Sequence, residues 1–397
     1  MPASETLRVR VYNVRFGDAI LISVPDKVRR GKIETRHILI DVGNVLSGTG
    51  GGDEVFGPVI ENVLEVLDGK PLDLYVMTHE HMDHVQGLFY AATKLGLDLE
   101  VQEAWLTASA AGDYYETHED AKKKRSLALD TFDAMERFLA AAPEPADPVV
   151  LNMLFNNNPR NTTECVDHLR KVAGEDHTVY VYRGCGVDGS HLFREEGTSI
   201  ELWAPEEDTS VYYGRFRPMA LGLDPVQEGG TEGAKPALTT PLPPPGVDAG
   251  AFYDLVASRS RGIGDNLLSI DAAANNSSVV FCLEWRGWRL LFPGDAEHRS
   301  WKQMNKVGAL KPVHFLKVGH HGSANGTPPP ELLDKILPEE PEDGRPRFAA
   351  VSTCTGSYSG VPHKDTMELL ASRCTLRSVE DLPEGEPYMD FHFPPKP

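Results

Sequence analysis

Apolar and polar residues alternate along much of the chain, and this pattern predicts short strands separated by helical segments. In the amino-terminal part the pattern predicts strands over 7–14, 19–24, 37–41, 72–77 and 100–107. Apolar residues at helical spacing predict helices over 55–68 and 85–96. This part of the chain is therefore expected to build a sheet with helices packed against it.

The same alternation returns in the carboxyl-terminal part, after a stretch at 218–250 that is rich in proline and glycine. There it predicts strands over 277–284, 288–292, 313–318 and 347–353, with helices over 297–307, 329–337 and 363–373. The intervening region gives a helical prediction for 108–145 and strands at 178–182 and 198–203. The stretch at 218–250 is interpreted as a loop that separates the two halves.

Together these elements predict an α+β fold in which two β-rich halves pack face to face with helices outside. We expect a single domain over 1–397. Residues 1–107 would form its first half, 108–274 an inserted helical and loop region, and 275–397 its second half.

Composition is typical of a globular protein, with 41% hydrophobic and 25% charged residues. The net charge of −20 gives no long-range attraction to extended nucleic acid, although a metal pair would reverse the local field at a site. The one basic run, Lys122–Arg125, is either a solvated helix face or a contact for a phosphate backbone or partner. Five cysteines without paired spacing, in a chain of this length, argue against a disulfide framework.

The amino terminus has no apolar signal region, and no window approaches 18 consecutive apolar residues. We therefore expect a cytoplasmic protein that has no membrane partner.

The strongest chemical signal is the run His79-Glu80-His81-Met82-Asp83-His84, which directly follows a predicted buried strand. In extended backbone, residues two apart point to the same side, so His79 and His81 can converge on one ion. Asp83 and His84 follow as the chain turns into a helix and can face a second ion. Imidazole and carboxylate both suit zinc and related divalent metals.

This run resembles the HxHxDH signature of the metallo-β-lactamase superfamily, and three further motifs resemble that superfamily in order: Ile40–Gly43, Leu291–Asp295 and Val318–Ser323. The resemblance is closer to the soluble hydrolase domain of ComEC-type DNA-uptake channel proteins, through Tyr12–Ile20, Asn275–Ser278, Gly294–Glu297 and the HHGS run. It covers 7–107 and 275–373 well and 108–274 poorly. It implies a four-layer αβ/βα sandwich.

The resemblance implies two divalent ions, with zinc expected and manganese or iron as alternatives. The implied ligands are His79, His81, Asp83, His84, Asp295 and one of His320 and His321. Asp295 would bridge the ions, and the other adjacent histidine would contact the leaving group or substrate. A third histidine for the first ion has no motif; its candidates are His118, His168, His177 and His191.

Other side chains are assigned supporting roles. Asp83 is expected to accept a hydrogen bond from the attacking hydroxide, and Asp41 to orient ligand histidines. Asn276, Ser277 and Ser323 are candidates for substrate hydrogen bonds, with local turn bonds as the alternative. His363 either faces the site or caps the helix after it.

The expected activity is that of a metal-dependent hydrolase in which a dinuclear centre activates hydroxide, most simply a phosphodiesterase or nuclease. Its substrate would be a small-molecule or nucleic-acid phosphodiester. One alternative is hydrolysis of a lactone, thioester or amide on the same metal pair, with 108–274 as a substrate lid. The other is a non-hydrolytic di-iron or regulatory protein.

Overall fold

The computed structural model describes residues 5–26, 33–44, 52–140, 156, 159–213, 271–341, 343–354 and 360–395, and the account below concerns these residues. The predicted loop at 218–250 lies outside them. They form two mixed β-sheets with helices packed against both.

Thirteen strands are described. Those of the first sheet are β1 (Leu7–Tyr12), β2 (Ala19–Pro25), β3 (Thr35–Val42), β4 (Leu74–Met77), β5 (Ala104–Thr107), β6 (Thr178–Val181) and β13 (Tyr388–Phe393). Those of the second are β7 (Ser199–Ala204), β8 (Val280–Trp285), β9 (Trp288–Phe292), β10 (Phe315–Lys317), β11 (Phe348–Val351) and β12 (Thr375–Ser378).

The α-helices in the described ranges are α1 (Asp53–Leu67), α2 (Met82–Tyr90), α3 (Tyr114–Thr117), α4 (Glu119–Ala140), α5 (Pro159–Leu169), α6 (His298–Lys306), α7 (Pro330–Ile336) and α8 (Lys364–Arg373). A π-helical turn, Ala91–Leu95, extends α2. In these ranges no helix has both the length and the apolar character that crossing a membrane requires.

The two sheets repeat one pairing pattern. In the first, β1, β2 and β3 are antiparallel neighbours, and β4, β5 and β6 continue in parallel. In the second, β7, β8 and β9 are antiparallel and β10, β11 and β12 follow in parallel. Each sheet thus has a first parallel pair, β3–β4 or β9–β10, whose carboxyl ends lie side by side.

Strand alternation decides which side chains face the other sheet. Val9 and Val11 of β1 join one core cluster with Phe281 of β8 and Phe315 of β10, so this core lies between the sheets. Residues at the alternate positions along the strands of the first sheet, such as Leu21, point to the other face and pack with α1 and α2. The outer face of the second sheet packs with α6, α7 and α8 in a third cluster. This arrangement is compatible with the layered sandwich expected from the sequence.

Three elements have no counterpart in the sequence prediction. The strand β13 pairs antiparallel with β1 at the edge of the first sheet, so the end of the chain returns to its beginning. The strand β12 is short and half-exposed, and α5 lies in a region of weak signal. Part of the predicted inserted region also contributes β6 to one sheet and β7 to the other.

Candidate metal centre

The predicted motifs meet where the first parallel pairs of the two sheets end. Asp41 lies at the end of β3, and the histidine run follows β4. Asp295 follows β9, and the adjacent histidines 320 and 321 follow β10. Carboxyl ends of neighbouring parallel strands are a common place for binding sites, because their loops leave the sheet on the same side.

The backbone of the loop after β3 lies very close to the backbone at the start of α2. A Cβ atom on Gly43 would lie 2.1 Å from the carbonyl carbon of Asp83 and 2.2 Å from the amide nitrogen of His84. Only glycine fits there without displacing the backbone of the histidine run. This explains the glycine of the Ile40–Gly43 motif.

Four buried side chains form the centre of the site: Asp83, His84, Asp295 and His321. Their nearest ligand atoms lie within 4.8 Å of one another. Nε2 of His321 is 3.1 Å from Oδ2 of Asp83 and 3.4 Å from Oδ2 of Asp295. Nε2 of His84 is 3.3 Å from the same Asp295 oxygen. Two residues come from each sheet, so the site exists only when both sheets pack together.

The charge on each of these four side chains affects the pKa of the others. Burial alone would lower the pKa of His321, but the carboxylates of Asp295 and Asp83 raise it to about 10. Burial also opposes the charge on His84, and the same carboxylates raise its pKa. Burial would raise the pKa of Asp295, but the imidazoles of His84 and His321 lower it. Two imidazolium protons thus balance two carboxylates, and a divalent cation can replace those protons.

Several buried polar atoms at this centre have no hydrogen-bond partner. They are Nε2 of His81, Oδ1 of Asp83 and Nε2 of His84. Buried polar atoms normally have hydrogen-bond partners, so three such atoms within one short run of the chain need an explanation. Each is also an atom through which its side chain binds metal ions. The donor set of imidazoles and carboxylates therefore fits a divalent ion.

Neighbouring groups fix the orientation of two of these imidazoles. Nδ1 of His84 lies 2.8 Å from Oδ2 of Asp41, whose carboxylate also accepts bonds from the amide and hydroxyl of Thr78. Nδ1 of His321 donates to the carbonyl oxygen of Ser352 at 3.0 Å. Both rings therefore present Nε2 to the centre, an arrangement that supports ligand histidines in metal sites.

The adjacent histidines 320 and 321 face different ways. His321 is fully buried in the centre, while Nδ1 of His320 lies 3.3 Å from Oε1 of Glu297. Asp271, Glu297 and His320 form a second group of possible metal ligands. The side-chain amide of Asn275 donates hydrogen bonds to Asp271 and Glu297. Both carboxylates of this second group therefore already accept a hydrogen bond from the protein. The main chain of His320 still contacts the centre, because its N–H donates to Oδ1 of Asp295.

Left-handed backbone is concentrated at the site. Asp41 has φ 49°, His320 has φ 47° and His321 has φ 52°. This region is unfavourable for residues other than glycine, and such strain collects at functional positions. At Asp41 the strained turn aims the carboxylate at Thr78 and His84.

His79 and His81 lie beside the four-residue centre, in contact with each other. Nε2 of His79 is 3.1 Å from Nδ1 of His81, and the His79 ring is 4.1 Å from the His84 ring, centroid to centroid. Burial is the largest of the effects that lower the pKa of His79, so its imidazole is neutral. Neutral imidazole is the form that binds metal.

Three of the four candidates for a third histidine have other partners. Nε2 of His191 lies 2.6 Å from Glu103, the His118 ring stacks on Tyr114, and His168 packs edge-on against Phe89. The remaining candidate, His177, is exposed. Among described residues, none of the four belongs to either group of possible ligands.

The predicted substrate contacts are engaged in local hydrogen bonds. Asn276 accepts from the amide of Ser300 and donates to the carbonyl of Ala272. The hydroxyls of the two serines also bond to nearby backbone: Ser277 donates to Ala274, and Ser323 accepts from Gly326. The ring of His363, at the start of α8, lies 2.9 Å from the hydroxyl of Thr366 in the first turn of that helix.

A buried ion pair that was not predicted from the sequence supports the centre. Nζ of Lys317 lies 2.8 Å from Oδ1 of Asp18, and their side chains are only 1% and 2% exposed. The amide of Asp18 donates to the carbonyl of Asp83 at 3.1 Å, so this pair supports the backbone of the histidine run. A lysine at the end of a short apolar strand was a signal, because burial of lysine requires a partner.

A short part of the chain is similar in sequence to a known bacterial protein. No family model matches the chain. Over 99 residues the chain is 29% identical to ComE operon protein 3 from Bacillus subtilis (strain 168). The match covers 25% of this chain and 12% of that protein. It is compatible with the sequence resemblance described above.

Proposed function

We propose that the chain is a metal-dependent hydrolase of the metallo-β-lactamase fold, and that it cleaves phosphodiesters. The observation that carries the proposal is the convergence of Asp83, His84, Asp295 and His321 from both sheets, with ligand atoms left unpartnered. Weak similarity to ComE operon protein 3 and the motif resemblance support the same class.

The proposal includes two ion positions. Asp83, His84, His321 and Asp295 would hold one ion, since their ligand atoms already converge. His79 and His81 would share the other with Asp295, which would then bridge the two. Zinc suits this mixture of imidazole and carboxylate, and manganese or iron remain alternatives.

A metal pair would supply a hydroxide at neutral pH and a positive charge for the substrate oxygens. The protein's own groups then position the reaction. Oδ1 of Asp83, which is buried and has no hydrogen-bond partner, would accept a hydrogen bond from the nucleophile. Asp41 and Ser352 hold the rings of His84 and His321 so that neither rotates away from the centre. His320, which lies beside Glu297, would meet the leaving group.

The choice of phosphodiesters rests on the resemblance to the hydrolase domain of DNA-uptake channel proteins, so the test is a substrate panel. The panel comprises bis-p-nitrophenyl phosphate, single-stranded DNA, a cyclic nucleotide, a homoserine lactone and the cephalosporin nitrocefin. We expect phosphodiester cleavage to dominate, to disappear after chelation and to return on addition of zinc or manganese.

If the metal-loaded protein hydrolysed the lactone or nitrocefin faster than the phosphodiesters, the proposed substrate would be wrong and a carbonyl compound would take its place. Full activity after exhaustive chelation, with metal absent by elemental analysis, would contradict the metal mechanism itself. Iron bound tightly, without any hydrolysis, would favour a non-hydrolytic di-iron protein.

A further inference from the structure

A cavity of about 90 Å³ opens beside His81, on the side of the centre that is covered by α3 and α4. Its polar lining includes Glu80, Ser109, Tyr115, Arg125 and Tyr213. The cavity therefore joins the histidine run to the region that the resemblance covers poorly.

Arg125 is the member of the basic run that faces this cavity. Lys123 lies on the exposed surface with Glu119, and Nζ of Lys124 donates to the carbonyl of Ser210. The guanidinium of Arg125 stacks on the ring of Tyr115 at 4.2 Å from its centroid. Among the residues that the structure describes, no acceptor is hydrogen-bonded to it. Stacking fixes the plane of a guanidinium and leaves its N–H donors free at the edge.

Two phenols add donors to the same lining. Tyr115 and Tyr213 both line the cavity, and their side chains are half-buried. Burial raises the pKa of Tyr213 to about 12 and that of Tyr115 well above its usual value. Both phenols are therefore neutral at physiological pH and can donate to an anion.

One acidic group, Glu80, also lines the cavity. Its carboxyl group lies in the field of both Arg125 and Arg170. Arg170 is already paired with Asp167 at 2.6 Å and donates to the carbonyl of Ala110, so Arg125 is the guanidinium that brings uncommitted hydrogen-bond donors to the cavity. A guanidinium with free paired N–H groups binds oxyanions in bidentate geometry.

We propose that this cavity binds a second phosphate group of the substrate, next to the phosphodiester that is cleaved. This inference rests on the proposed function and narrows its substrate class. Phosphate fits better than carboxylate because a guanidinium and phenolic donors together match more oxygens than a carboxylate offers. The preferred substrates are then phosphodiesters with a neighbouring phosphate, such as the 5′-phosphorylated end of a single strand.

The test measures binding of two thymidine dinucleotides, one with a 5′-phosphate and one without, by isothermal titration calorimetry. Both carry a phosphorothioate linkage, which slows cleavage during the titration. We expect the wild-type protein to bind the 5′-phosphorylated ligand at least tenfold more tightly. Arg125→Gln should abolish this preference, and Arg125→Lys should reduce it, because lysine keeps the charge but loses the planar pair of donors.

Lys123→Gln is the matched control, since it removes one positive charge from the exposed face of the same helix. It should keep the full preference for the 5′-phosphorylated ligand. Circular dichroism and thermal melting check that each variant is folded. Equal binding of the two dinucleotides by the wild-type protein would overturn the inference, as would an unchanged preference in a folded Arg125→Gln variant.

Hydrolysis of bis-p-nitrophenyl phosphate separates this inference from the proposed function, because that substrate carries no second phosphate. Wild-type turnover of this compound without any preference between the dinucleotides would retain the hydrolase and reject the phosphate pocket. Preferential binding of the phosphorylated dinucleotide without turnover of any diester would support the pocket and reject the proposed activity.

Discussion

Replacing His321 with alanine is expected to lower phosphodiester hydrolysis by about 1,000-fold, which corresponds to about 4 kcal/mol of lost transition-state stabilisation. His321 is fully buried, and its Nε2 lies between the carboxylates of Asp83 and Asp295. Its loss removes one of four convergent ligand atoms and leaves two carboxylates close together. We expect steady-state assays and elemental analysis to show that activity and bound metal fall together.

His320→Ala is the matched comparison, because it removes an identical side chain one position away. His320 is turned toward Glu297 rather than toward the centre, so this variant should keep its metal. Loss of metal in His320→Ala with retention in His321→Ala would reverse our assignment of the two histidines.

Replacing Lys317 with methionine should lower the free energy of unfolding by about 3–5 kcal/mol, the usual cost of leaving one member of a buried ion pair alone. The substitution keeps much of the side-chain volume and removes the charge. The Asp18 carboxylate, 2% exposed, would then be buried without a cation. Urea denaturation measures the effect. Because Asp18 supports the backbone at Asp83, metal affinity should fall as well.

Lys311→Met provides the control at an exposed ion pair. Lys311 lies 2.7 Å from Glu201, but both side chains are about half exposed. Such pairs contribute about 0–1 kcal/mol, so this variant should unfold close to the wild-type midpoint. If Lys317→Met shifted the midpoint no further than Lys311→Met does, the supporting role of the buried pair would be wrong.

The sequence was most informative where a local pattern determines structure. Strand alternation placed β1, β2 and β9 within one or two residues of their observed ends, because each buries one face of a sheet. The run from His79 to His84 marked the candidate site, since three imidazoles and the carboxylate of Asp83 directly follow a buried strand. These features depend on neighbours along the chain.

Features that depend on distant residues were not predictable in the same way. The pairing of β13 with β1 joins the two ends of the chain, and local sequence carries no information about such a partner. The orientations of His320 and His321 depend on two successive left-handed residues and on acceptors from other elements, Glu297 and Ser352. Lys317 could be noticed as a buried cation, but its pairing with Asp18 required the structure.

Metal binding by the four-residue centre is the claim on which the account depends. The most direct measurement is a crystal structure of the zinc-loaded protein with anomalous diffraction data collected at the zinc edge. We expect an anomalous peak at about 2.0–2.3 Å from Nε2 of His84 and His321 and from carboxylate oxygens of Asp83 and Asp295. A second peak about 3.5–4 Å away, beside His79 and His81, would complete the pair. Zinc bound elsewhere, with these four side chains still hydrogen-bonded to one another and no peak between them, would contradict the account.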